Sequence, residues 1–121
     1  MNKRKIGAAA EEKVAAYLKS AGVKILELNY QSRRGEIDII GRHDGYLVFF
    51  EVKYRSSTSC GHALQAVDSH KMKQICKVAD YYRYTHNLGD QIPVRYDVVA
   101  IQGSEIQWIQ NAFPHIYTRN Y

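Results

Sequence analysis

The sequence predicts a mixed α/β domain in which helices pack against a central sheet. Three observations predict it. An alanine-rich, helix-forming run closes on Gly22; an Asp44-Gly45 dipeptide separates two apolar, strand-like runs; and a long helical stretch intervenes before further strand-like sequence. The expected order is α-β-β-β-α-β, with a last, short strand after it. At 121 residues the chain is expected to be one domain over residues 1–121, large enough to bury a core without disulfides.

The first helix is expected from Ala8 to Ala21, with Val14, Tyr17, Leu18 and Ala21 on one face. Glu11 falls on or at the edge of that buried face, whereas Glu12, ~100° further round, faces water. Val23 to Tyr30 reads as a strand and Gln31 to Gly35 as a loop. Glu36 to Ile40 and Tyr46 to Tyr54 then read as two antiparallel strands. A two-residue turn at Asp44-Gly45 sets His43 opposite Tyr46 and Asp38 opposite Glu51, with Cβ atoms ~5 Å apart. A four-residue loop keeps that register, whereas a three-residue loop slides Asp38 opposite Phe50. Lys53 shares the face of Glu51 because side chains alternate along a strand.

Ser56 to His62 reads as a loop and about Ala63 to about Tyr84 as helix, with Asp68 able to cap a restart. Leu64, Val67, Ile75, Val78 and Tyr82 form its apolar stripe, and Lys71 falls near the stripe's centre. After a turn at Asn87 to Asp90, Val94 to Ile101 reads as a strand and Ile106 to Ile109 as a short one. The residues from Asn111 onward are expected as a terminal helix or loop.

Net charge of +5 favours encounter with polyanions. The two cysteines and the lack of an apolar leader favour a reduced, cytoplasmic setting, and no apolar run approaches the ~20 residues that span a bilayer. Against that basic background, Asp38 and Glu51 sit in strands otherwise built for burial. Facing carboxylates there cost on the order of several kcal/mol unless a cation neutralises them or one of them holds a proton. The competing reading is a solvated ladder in which they pair with Arg42, Lys53 or Arg55. Phe49 and Leu47, on the face of Glu51, argue for burial.

Asp38, twelve residues, then Glu51-Val52-Lys53, preceded by a helix with an inward glutamate, resembles the PD-(D/E)xK nuclease superfamily, which includes restriction endonucleases and Holliday-junction resolvases. Arg34-Gly-Glu-Ile-Asp38, Phe50 to Arg55, Gly61 to Lys71, Arg95 to Val99 and Asn111 to Phe113 together resemble the YraN-like family of small bacterial proteins. Two departures are visible: Ala10-Glu11 stands where that family usually has Gly-Glu, and Gln65 where a glutamate is common.

The resemblance implies a restriction endonuclease-like core with Glu11, Asp38, Glu51 and Lys53 as catalytic positions. It further implies Mg²⁺ or Mn²⁺ held by Asp38, Glu51 and the carbonyl of Val52, with Glu11 completing the shell through a water. Lys53 would orient or help deprotonate the attacking water, and hydrolysis would leave a 5′-phosphate. Structured or damaged DNA is the implied partner, and a homodimer is implied by analogy with junction resolvases. A DNA-binding accessory module that kept the fold but does not cut is the competing function.

Arg33, Arg34 and Arg55 adjoin the proposed site and suit phosphate contacts. Lys71, an amine on an apolar stripe, calls for an anionic partner, an internal acid or an escape of its head to solvent. Lys3-Arg4-Lys5 is either a further phosphate contact or ordinary surface charge. Cys60, His62, His70 and Cys76 lack the paired spacing of a zinc site. Tyr81, Tyr82 and Tyr84 could stack on bases, although Tyr82 belongs to the core stripe. Asp97 has no role in this reading beyond a structural pair.

Overall fold

The structure, a computed structural model, describes residues 3–54, 67–89 and 91–117, with side chains from Ala9 onward. Arg55, Cys60, His62, Leu64, Gln65 and the side chains of Lys3-Arg4-Lys5 lie outside the described residues, as does the expected start of the second helix. The described elements are α1 (Lys3–Ser20), β1 (Lys24–Ser32), β2 (Gly35–His43), β3 (Tyr46–Tyr54), α2 (Ser69–Thr85), β4 (Val94–Gln102) and β5 (Glu105–Phe113). The strands lie in the sheet in chain order, β1-β2-β3-β4-β5. Among the described strands only β3 and β4 run parallel, a connection that must cross over the sheet, and α2 lies within it.

The helices cover opposite faces. Val14 and Leu18 of α1 pack with Ile39, Val48, Phe50 and Val99 on one side, while Ile75, Val78 and Tyr82 of α2 pack with Ile37, Phe49, Tyr96 and Val98 on the other. This explains the near-continuous apolar run Leu47–Phe50: β3 is central and buried on both faces, so alternation disappears. Among the described side chains of α1 the buried positions are Ala10, Val14, Ala15 and Leu18, and Tyr17 stays 39% exposed. Gly22 ends α1 with φ +99°, and the Val23 N–H reaches back to the Leu18 carbonyl at 2.9 Å, closing a Schellman motif.

Several expected boundaries shift. β1 runs on through Gln31 and Ser32, so the expected loop contracts to a tight Arg33-Arg34 turn between the paired Ser32 and Gly35. The Ser32 hydroxyl stabilises that turn, accepting from the Arg34 N–H at 3.1 Å and donating to the Gly35 carbonyl at 3.2 Å. Asp44 and Gly45 both have positive φ, +52° and +83°, the signature of a type I′ turn. His43 therefore faces Tyr46, and the register runs as expected to Ile39 opposite Phe50.

β5 corrects the expectation of a short strand followed by helix or loop: it spans nine residues and includes Asn111, Ala112 and Phe113. Asn111, at φ +54°, marks an irregularity in the β4–β5 ladder. Its N–H donates to Asp97 Oδ1 at 2.9 Å, which satisfies that donor within the irregularity, and the strand continues. Asp97 is fully buried and also accepts from Arg95 at both oxygens and from the Trp108 indole N–H at 2.8 Å. The Arg95 guanidinium meanwhile donates to His43 Nδ1 at 2.9 Å, which ties the β2–β3 hairpin to β4.

A candidate acidic site at a fork in the sheet

Two residues apart in a regular strand share a face, yet Ile37 lies in the core beneath α2 and Ile39 in the core beneath α1. The backbone of β2 therefore turns over between them, at Asp38. Here β2 and β3 part, because the pairing stops at Ile39 and Phe50 while β3 stays beside β4 through Tyr54. Asp38 and Glu51 thus miss the direct cross-strand pair by one step. The Asp38 carboxylate instead accepts the Val52 N–H at 2.8 Å, filling the backbone position that β2 has vacated. In an extended strand the N–H and C=O of one residue leave on the same edge, so the Val52 carbonyl also faces the fork.

Glu51 is 6% exposed. Lys53 Nζ stands 3.5 Å from one of its oxygens and Lys71 Nζ 3.9 Å from the other. Burial pushes the Glu51 carboxyl up to about 7 and Asp38 adds to the rise, while Lys71 and Lys53 oppose it. Asp38 is raised too, first by burial and then by Glu36, against the Val52 N–H and the same two lysines. Lys71, anomalous on an apolar stripe, is explained by an internal acid: Asp68 accepts the Lys71 N–H at 2.8 Å as the cap of α2, and that start of the helix aims the amine at Glu51.

Glu11 completes the site from α1. One carboxylate oxygen each from Glu11, Glu36 and Asp38 lies within 4.8 Å of the others. Burial, then Asp38 and Glu36, raises the Glu11 carboxyl, and a hydrogen bond from Asn29 opposes the rise. The sequence reasoning missed Glu36. Its position two residues before Asp38 in an extended strand was the available signal. Glu51 lies outside this trio, its carboxylate turned toward the lysines. The site therefore has an acidic half, Glu11-Glu36-Asp38, and a charge-paired half, Glu51-Lys53-Lys71, with Asp38 electrostatically coupled to both. Clustered carboxylate oxygens are the donor set that hard divalent cations take.

Arg33 and Arg34 occupy the exposed turn beside Glu36, where the Arg34 carbonyl accepts from the Gln74 side chain at 3.3 Å. Of the cysteines and histidines weighed for zinc, Cys76 is buried and its sulfur accepts the Ile116 N–H at 3.4 Å, while His70 is exposed at the start of α2. Among the described residues they form no metal cluster. Tyr82 is core, as expected, whereas Tyr81 and Tyr84 are exposed. Among the described residues no helix is long and apolar enough to cross a membrane.

A helix on each face of a five-stranded mixed sheet, with acidic side chains gathered where its central strands part, defines an α/β domain consistent with a restriction endonuclease-like core. Residues 10–101 match the Uncharacterised protein family UPF0102, and the chain belongs to that family. A UPF0102 protein of Lachnoclostridium phytofermentans is 43% identical over 113 residues, covering 93% of this chain and 96% of its own. Another from Shewanella sp. (strain W3-18-1) is 43% identical over 108 residues, covering 89% and 98%, and one from Fusobacterium nucleatum is 40% identical over 111 residues, covering 92% of each. The matched region contains Glu11, Glu36, Asp38, Glu51, Lys53 and Lys71.

Proposed function

We propose that this protein is a divalent-metal-dependent endonuclease of the PD-(D/E)xK superfamily, hydrolysing phosphodiester bonds in structured or damaged DNA. The observation that carries the reading is the pairing of the acidic trio Glu11-Glu36-Asp38 with a buried glutamate flanked by two lysines. Carboxyls raised by burial and by one another are strained as anions without a counter-cation, so the residues present fit Mg²⁺ or Mn²⁺. Asp38 would be the shared ligand, joined by Glu11 and Glu36 on one side and by Glu51 and the Val52 carbonyl on the other. A bound cation supplies Lewis-acid polarisation of the phosphate and a more acidic water.

The chain's own groups do the remaining work. The Val52 N–H fixes the orientation of the Asp38 carboxylate. Lys53, 30% exposed at its side chain, can turn from Glu51 to orient the attacking water and offset charge developing on the phosphate. Lys71 balances Glu51 when Lys53 is so engaged. Arg33 and Arg34, at the mouth of the acidic half, would hold the flanking backbone phosphates, a role that positions the substrate and reads no sequence.

Mn²⁺-dependent cleavage of branched, flapped and single-stranded DNA by wild type and by Lys53→Ala tests the reading. Wild type is expected to cut at least one of these substrates and Lys53→Ala to lose at least ~100-fold in rate, the scale of a removed general acid–base or charge-stabilising group. Failure to cut any of them, with equal DNA binding by both proteins, would sink the enzyme and favour a non-catalytic DNA-binding module.

A further inference from the structure

A groove of about 980 Å³ lies against the second half of α2, away from the acids, and its walls include Arg34, Tyr81, Arg83, Tyr84, His115 and Tyr117. Tyr81 is 45% exposed, Tyr84 82% and Tyr117 85%. Large aromatic rings are left in water here around a concavity, and among the described residues Arg34, Arg83 and the carboxylate of Asp80 also line it. That carboxylate is already engaged, 3.9 Å from Arg83 and 3.4 Å from His115 Nε2. Tyr81 and Tyr84 are one helical turn apart and so lie on neighbouring parts of one helix surface.

The groove and the acidic site share α2 and the Arg33-Arg34 turn. α2 carries the Lys71 that contacts Glu51 in its first turn, passes Gln74 that donates to the Arg34 carbonyl, and reaches Tyr81 and Tyr84. Arg34 thus belongs to the groove wall and to the turn carrying Glu36. From Lys71 to Tyr84 the helix rises ~20 Å.

We infer that this groove is a subsite for a single-stranded segment of polynucleotide, its bases stacking on Tyr81, Tyr84 and Tyr117 and its phosphates meeting Arg34. The inference rests on the nuclease reading and names the substrate class: nucleic acid with an unpaired tract next to the bond to be cut. Stacking on tyrosine suits any base, because every base has a π-face, and exposed rings interleaved with arginine are the recurring form of such platforms. Paired bases inside a duplex offer no free face to these rings.

The test is fluorescence anisotropy with a labelled oligothymidylate of about 12 nucleotides, within the site sizes of single-strand binders, and with a blunt duplex hairpin, both in EDTA so that nothing is cut. Tyr84→Ala, a change at a surface ring, is expected to weaken oligothymidylate binding roughly 5- to 150-fold. Tyr84→Phe, which keeps the stacking face, should bind as wild type. Equal affinity of Tyr84→Ala and wild type, or tighter binding of the hairpin than of the single strand, would overturn the inference. So would oligothymidylate binding too weak to detect, combined with self-association that Tyr84→Ala abolishes, since the groove would then belong to a second copy of the chain. Tyr84-dependent binding by a protein that cuts nothing upholds the groove and removes the nuclease. Cleavage by a protein whose binding ignores Tyr84 does the reverse.

Discussion

Glu51 sits at 6% exposure between Asp38 and two lysines, and its carboxyl is pushed up to about 7. A carboxyl raised on folding keeps its proton in the native state after the unfolded chain has lost it. The metal-free protein should therefore lose stability as pH rises from about 4.5 toward about 7, and Glu51→Gln should remove Glu51's share of that dependence. Thermal melts in EDTA at pH 5 and pH 8 read it: the variant should gain on wild type at pH 8, by on the order of 2 kcal/mol, and little at pH 5. Asp97→Ala works through a different mechanism. It leaves Arg95 buried without its carboxylate and frees the Trp108 and Asn111 N–H groups, so it should cost about 3–5 kcal/mol in denaturant unfolding. Neither role was equally legible. Glu51 stood out as an acid in an apolar strand, whereas the partners of Asp97 depend on an irregularity at Asn111 that no local pattern announces.

At the scale of elements, turn chemistry was the most legible part. Asp44-Gly45 fixed the β2–β3 register, Gly22 marked the end of α1, and Asp68 was visible as a cap. What local pattern could not convey was the extension of β1 through Gln31 and Ser32 and of β5 through Phe113, since both depend on hydrogen-bonding partners elsewhere in the chain. The capping bond of α2 has a dual role, because the N–H that Asp68 receives belongs to the residue whose amine meets Glu51. Asp68→Ala should cost ~1 kcal/mol of stability, and Asp68→Asn only a small part of that. If Lys71 serves the site, Asp68→Ala should also lower Mn²⁺-dependent activity by more than its melt accounts for, measured well below the melting temperature.

At the scale of the whole molecule, the sandwich of two helices about a mixed sheet was legible because each layer has its own period. The fork was not, because it depends on β2 turning over at Asp38 while β3 stays bound to β4. If the fork holds a cation, Mn²⁺ at 100 times its dissociation constant should stabilise the fold by ~2.7 kcal/mol. The gain should shrink at pH 5, where the raised carboxyls of Glu11, Asp38 and Glu51 resist ionisation, and should fall in Asp38→Asn. Melts with and without Mn²⁺ at the two pH values check this. The fork also supplies its own spectroscopic reporter. The Val52 amide proton is shared with the Asp38 carboxylate rather than with a neighbouring strand, so a single backbone resonance in a ¹⁵N-labelled sample will follow the charge of that acid through a titration.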